Sequence, residues 1–165
     1  MNMLDRLESL LNKSLLRQVE DPGGEPRFTM LETLRESARE RLEVRGEAEG
    51  LRQQLADYFL DLAEQALAEL RGPRGHIWIT RLEIEYENLR NTLAWLFEQS
   101  RVEPAVGLVA ALGDFWFYQG HHSEGSFWLG RALSVLDSVP LSLHARVLNA
   151  AGRLTAYSGD VTYPF

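Results

Sequence analysis

The chain has 165 residues, 45% apolar and 25% charged, a globular composition that excludes a disordered chain. Acidic residues number 24 against 17 basic ones, and the net charge of −7 argues against nucleic acid or an anionic membrane as a partner of the whole surface. With no cysteine, a disulfide framework, a thiol nucleophile and a zinc–thiolate site are excluded, and Lys13 is the single lysine.

The N-terminus, Met1-Asn2-Met3-Leu4-Asp5-Arg6, lacks the apolar run of a signal peptide, and no stretch approaches the ~18 apolar residues of a membrane span. The expected compartment is the cytoplasm. Leu4, Leu7, Leu10 and Leu11 share one helical face over residues 4–13. Asp21-Pro22-Gly23-Gly24-Glu25-Pro26 lies between the short runs 14–20 and 27–30; Pro presets φ and Gly supplies positive φ, which predicts a β-hairpin. From Leu31 a helix places Leu31, Leu34, Ala38 and Leu42 on one face, with Glu32–Arg35 and Glu36–Arg39 spaced i, i+3 for ion pairs, and Gly46 ends it. Residues 47–71 form a longer helix with Leu51, Leu55, Phe59, Leu62, Ala66 and Leu70 inward, broken by Gly72-Pro73-Arg74-Gly75. Residues 76–99 follow as a helix offset near Ile84 to Glu87, and 104–118, 123–137 and 141–158 give three more.

The C-terminal half repeats at an offset of 39 residues: Ala111 matches Ala150, Gly113 Gly152, Tyr118 Tyr157 and Gly120 Gly159. Each unit has a small residue inside a helix, an aromatic near its end and a glycine at the turn. Tandem helix pairs of this period predict an α-solenoid in which Gly113 and Gly152 let a neighbouring helix approach closely. The plainer alternative is two unrelated helices that both end in glycine.

Leu112-Gly113, Trp116-Phe117, Gln119-Gly120-His121, Glu124 and Ala132 resemble one tetratricopeptide repeat; Gly125 stands where that family usually has Ala, and Pro140 arrives a few residues late. A longer ordered set covers roughly residues 4–160. Leu10-Leu11-Asn12-Lys13-Ser14-Leu15-Leu16 and the run from Arg27-Phe28-Thr29-Met30 to Glu36 resemble the winged helix that follows the nucleotide-binding domain in bacterial STAND regulators, of the LuxR-family or AfsR type with an NB-ARC-like ATPase. Tyr58-Phe59-Leu60, Leu70 to Pro73, Trp78, Arg81-Leu82-Glu83, Asn88-Leu89-Arg90 and Trp95 are similar to the helical connector of those proteins. Gly120-His121, Ser123-Glu124-Gly125, Trp128-Leu129 and Arg131-Ala132-Leu133 are similar to their first tetratricopeptide-like unit.

The resemblance implies a P-loop ATPase preceding the winged helix, yet this chain has no P-loop. A phosphate loop ending in Lys13-Ser14 would need glycine at positions 7 and 12, which are Leu7 and Asn12, so Lys13 is expected to be a solvated lysine. The resemblance also implies a Met-His-Asp nucleotide sensor, whose positions are Met30, Leu31 and Glu32. Leu31 cannot donate a hydrogen bond, and Met30 and Leu31 are expected to be core residues.

Other constellations read as structural. His121-His122 with Glu124 has no second His at helical spacing for a metal and is expected at a turn; Glu83, Glu85 and Glu87 spread over different faces and are expected to be solvated. No nucleophile elbow or His-Glu-x-x-His is present. Residues 1–50 hold eight basic and eleven acidic side chains, a net of −3, and Arg35, Arg39 and Arg45 are interleaved with Glu36, Glu40 and Glu43 where a DNA-reading helix needs a basic face. Phe115, Trp116, Phe117 and Tyr118 run in succession and cannot all face one core, and Phe127 and Trp128 follow in the next helix. Phe115, Trp116, Tyr118, Phe127 and Trp128 are therefore a candidate protein-docking patch, the alternative being that they fill the inter-repeat core.

The expected fold is mainly α: a small winged-helix piece with one β-hairpin (1–46), then a connector and an α-α superhelix of tetratricopeptide-like repeats (47–165), the last incomplete. The expected function is a non-catalytic regulatory or scaffold segment of a STAND-type transcriptional regulator. It would need no cofactor or metal and would contact its own ATPase domain or another protein, not membrane or nucleic acid. The incomplete last repeat suggests a fragment that needs a neighbour and allows an oligomer. The rivals are a stand-alone winged-helix DNA-binding regulator and a helical enzyme with an unrecognised site.

Overall fold

A computed structural model of the protein describes residues 2–20 and 26–158. The predicted hairpin turn at 21–25 and residues 159–165 lie outside the described residues. The fold is mainly helical with one small antiparallel hairpin. The chain divides into two compact units, 1–52 and 53–165.

The first unit runs α1 (Met3–Asn12), β1 (Arg17–Glu20), β2 (Pro26–Thr29) and α2 (Glu32–Val44). A capping box starts α1: the Asn2 side chain accepts the Asp5 N–H at 2.9 Å and the Asp5 carboxylate accepts the Asn2 N–H at 3.0 Å. Ser14 at φ 56° and Gly46 at φ 69° turn the chain after the two helices, and only the second is the residue that suits this conformation. The strands pair Gln18 with Phe28 and Val19 with Arg27. None of the described residues of this unit is buried. Of the inward stripes expected on α1 (Leu4, Leu7, Leu10, Leu11) and α2 (Leu31, Leu34, Ala38, Leu42), Leu4 and Leu31 are exposed and the rest only half-buried, because a two-stranded sheet and two short helices offer little to cover them.

The second unit holds the core. It takes up α3 (Ala48–Glu69) beyond Arg52 and continues through α4 (Gly75–Ile84), α5 (Tyr86–Glu98), α6 (Val102–Gln119), α7 (His122–Leu133), a 3-10 turn (Leu136–Ser138) and α8 (Leu141–Ser158). Helix α6 is the central element. Residues Ala105 to Trp116 are all buried, as expected for a helix apolar on every side, and α4, α5, α7 and α8 pack on it. Pro104 is tolerated because it sits in the first turn, where its missing N–H would have no helical partner. Gly120, at φ 74°, caps α6 in the left-handed conformation and starts the short turn to α7.

Three expectations shift in detail. Leu51 and Leu55, expected inward on α3, are 47% and 49% exposed, and the buried side of that helix begins at Ala56. The helix expected over 76–99 is two helices interrupted at Glu85, which caps both; Glu85 N–H still bonds the Arg81 carbonyl and Leu89 N–H the Glu85 carbonyl, so Leu82, Leu89, Leu93 and Leu96 all reach the core. The helix expected over 123–137 ends at Leu133, and the residues before Pro140 form the 3-10 turn.

Of the two close approaches expected at glycines, the structure has the one at Gly113; at Gly152 a Cβ would meet nothing within 4 Å among the described residues. A Cβ built on Gly113 would lie 2.5 Å from the Ala150 Cβ, so α8 packs on α6 at a distance only glycine allows. At Gly125 a Cβ would meet Leu154 Cδ2 at 2.9 Å and Trp116 Cβ at 3.0 Å. The departure from Ala at this position follows from the large Trp116 already filling the space.

Candidate protein-interaction surface

The five aromatic candidates separate by burial. Phe115 and Trp116 are 0% exposed and Trp128 6%, all part of the core, whereas Tyr118 and Phe127 are 44% and 58% exposed. The docking patch read from sequence therefore reduces to Tyr118 and Phe127. The reason is periodic: α6 is enclosed until its last turn, so only Tyr118 emerges, and Phe127 sits on the outer side of α7, one residue from inward-facing Trp128.

Behind Phe127, Trp128 stacks on Phe97 at 5.8 Å, with the Arg131 guanidinium 4.3 Å from the Phe97 ring centre and 5.5 Å from that of Trp128. Beside Tyr118, the Arg153 guanidinium lies 5.0 Å from the Phe117 ring and 5.9 Å from the Tyr118 ring. Both exposed aromatics thus rest on arginine–aromatic layers that fix their backing.

A buried carboxylate anchors that arrangement. Asp114 is 6% exposed, and it accepts hydrogen bonds from Arg71 Nε at 3.0 Å and from Arg153 Nη1. The contact joins the end of α3, the middle of α6 and α8. Burial works against the charge of Arg153, but Asp114 and Tyr118 outweigh it and raise its pKa. This centre is absent from the candidates read off the sequence. Its traces were there: Asp114 is the single charge in the buried run of α6, and Arg153 stands 39 residues later, at the offset read from the sequence.

A second polar group ties α4, α5 and α7. Glu124 accepts from Tyr86 Oη at 2.8 Å, from Trp128 Nε1 at 3.1 Å and from Arg90 Nε at 2.8 Å. Burial, then the hydrogen bond and charge of Glu124, push the Tyr86 phenol well above its usual pKa. His121 stacks on Tyr86 at 4.4 Å and places Nε2 3.2 Å from Glu83 Oε2. His121 therefore lies at the α6–α7 turn, as expected, with a cross-helix contact the sequence did not reveal. The three glutamates diverge: Glu83 meets His121, Glu85 accepts from Asn88 and Glu87 pairs with Arg90. Among the described residues no group of three His, Asp or Glu could hold a metal.

In the first unit, Lys13 is exposed, and Glu32 is exposed and ion-paired with Arg35 as its spacing suggests. Met30 is half-buried and Leu31 46% exposed, so neither is the core residue expected from sequence; this unit has no core deep enough to take them. No described helix is long and apolar enough to cross a membrane.

No family model matches the chain, and no solved structure matches it. Proteins named as candidate HTH-type transcriptional regulators do, one from Mycobacterium bovis and two from strains of Mycobacterium tuberculosis. Each is 33% identical over 132 residues, which is 80% of this chain and 15% of the relative. Most of this chain is thus related to a segment of proteins so named, and it spans about 15% of their length.

Proposed function

We propose that the chain is the wing-and-repeat segment of a STAND-type transcriptional regulator. It would act without catalysis, through contacts that tetratricopeptide-like helices make with the regulator's own ATPase domain or another protein. The observation that carries this reading is the similarity of 80% of the chain to named transcriptional regulators of which it spans only 15%. The firmly packed second unit, with Tyr118 and Phe127 standing on ordered layers, supports a scaffold. The first unit supports internal packing over DNA reading: α2 interleaves Arg35, Arg39 and Arg41 with Glu36, Glu40 and Glu43, and so has no basic face.

The relatives' name favours one other reading, a winged helix that binds DNA directly. Fluorescence anisotropy with labelled duplex DNA at low salt separates the two. We expect no saturable binding; binding that weakens steeply as salt is added would overturn the relay reading for the first unit and favour DNA contact.

A further inference from the structure

We infer that Arg71 and Arg153 form a receptor for one carboxylate of a partner protein, an Asp or Glu in an acidic segment whose neighbouring apolar residue lies on Tyr118. The site lies wholly within the second unit, where charges tie α3, α6 and α8 at two levels. At the first level Glu64 of α3 meets Arg146 of α8 at 2.7 Å, one acid for one base. Seven residues further along the chain from each stand Arg71, just past the end of α3, and Arg153 of α8, two bases with Asp114 of α6 as their shared carboxylate. Two guanidinium groups on one carboxylate leave one positive charge in excess, in a chain whose net charge is −7. Glu69, close by in sequence, meets Arg74 at 2.7 Å and so does not restore the balance.

The donors are arranged for such a guest. Arg71 turns Nε and Nη2 to Asp114 Oδ2, both at 3.0 Å, which leaves the N–H groups of Nη1 directed away from Asp114, and its side chain is 62% exposed. Arg153 gives Nη1 to Asp114 Oδ1 and is also held against the rings of Phe117 and Tyr118, so its orientation is set before a partner arrives. A tie between helices is complete with one base per acid, as Glu64 and Arg146 show; the second base adds repulsion between like charges unless a second acid joins. A carboxylate fits this excess better than a phosphate. It brings one negative charge to one uncompensated positive charge, and its two oxygens match the paired N–H groups of a guanidinium. A phosphate would bring about two negative charges and overfill the site. The exposed Tyr118 ring beside Arg153 offers apolar area to the residue next to that acid. The inference rests on the reading of the second unit as a protein-binding scaffold and names the chemistry of what it binds.

The test uses the full chain and an array of short amidated peptides of varied sequence, each beside a copy with Asn and Gln in place of Asp and Glu. Affinities of the binders are then measured by fluorescence anisotropy, and melting temperatures check that every variant is folded. We expect peptides with an acid next to an apolar residue to bind and their Asn and Gln copies not to. Arg71→Gln is expected to weaken binding by about tenfold or more, the scale of a charged hydrogen bond. Arg71→Lys should fall between, because it keeps the charge and loses the paired donors. Tyr118→Ala should also weaken binding, whereas Arg81→Gln, at an exposed arginine of α4, should leave it unchanged. The inference is overturned if no acidic peptide binds, if the Asn and Gln copies bind equally, or if Arg71→Gln binds as well as the original. Binding that ignores the acids strikes the inference and leaves the scaffold reading standing; no binding of any peptide counts against both. Phosphate that displaces a bound peptide more strongly than acetate at equal ionic strength also overturns the inference, because the site would then take phosphate. So does sedimentation as a dimer that Arg71→Gln dissociates, because the acid would then come from a second copy.

Discussion

At the scale of single residues, Asp114 is the one buried charge among the described residues. Asp114 is sealed in α6 and satisfied by two arginines from different helices. Asp114→Asn keeps the shape and removes the charge, leaving Arg71 and Arg153 facing a neutral amide. Because Arg71 is largely exposed and can turn to water, the expected loss is on the order of 1–2 kcal/mol, below that of a fully buried pair, measurable by urea unfolding. Tyr86 gives a pH signature. Its folded pKa lies above the usual phenol value of about 10, so the folded state favours the protonated form. That contribution is fully present below pH ~10 and is lost as pH rises toward the folded value. Tyr86→Phe should therefore lower stability at neutral pH by about 1 kcal/mol, the net worth of one hydrogen bond, and flatten the fall in melting temperature above pH ~10. An unchanged alkaline profile in that variant would show that Tyr86 does not set it.

At the scale of elements, glycine placement decides how the helices meet. In an exposed helix, Gly→Ala adds roughly 1 kcal/mol of stability. At Gly113 the new methyl would fall 2.5 Å from Ala150 Cβ, so α8 must move away from α6. Gly113→Ala is expected to lower the melting temperature despite its better helix propensity, and calorimetry checks the sign directly. Legibility from sequence varies with the element. The stretch 104–118 reads as helix from its apolar pattern, and its turn to α7 from Gly120, because both signals are local. The interruption at Glu85 was visible only as an offset in the apolar spacing. The reduction of the aromatic patch to Tyr118 and Phe127 was not visible, since four consecutive aromatics reveal that some face outward but not where the neighbouring helices lie.

At the scale of the whole molecule, the two units differ in how much they bury. The second unit has a continuous core around α6, while no described residue of the first is buried. Native-state hydrogen exchange should reflect this. Amides of α1, β1, β2 and α2 are expected to exchange with little protection, and those of Ala105 to Trp116 only through unfolding of the second unit. Strong protection in the hairpin of the isolated chain would contradict the burial pattern.

Composition, periodicity and turn residues were enough to read a mainly helical chain with one hairpin, because each depends on residue type and on spacing along the chain. Which aromatics stay exposed, that Asp114 and Arg153 meet, and that α8 packs closely at Gly113 were decided by tertiary structure alone. Those outcomes depend on distances between helices far apart in sequence, and a linear pattern carries no such distances.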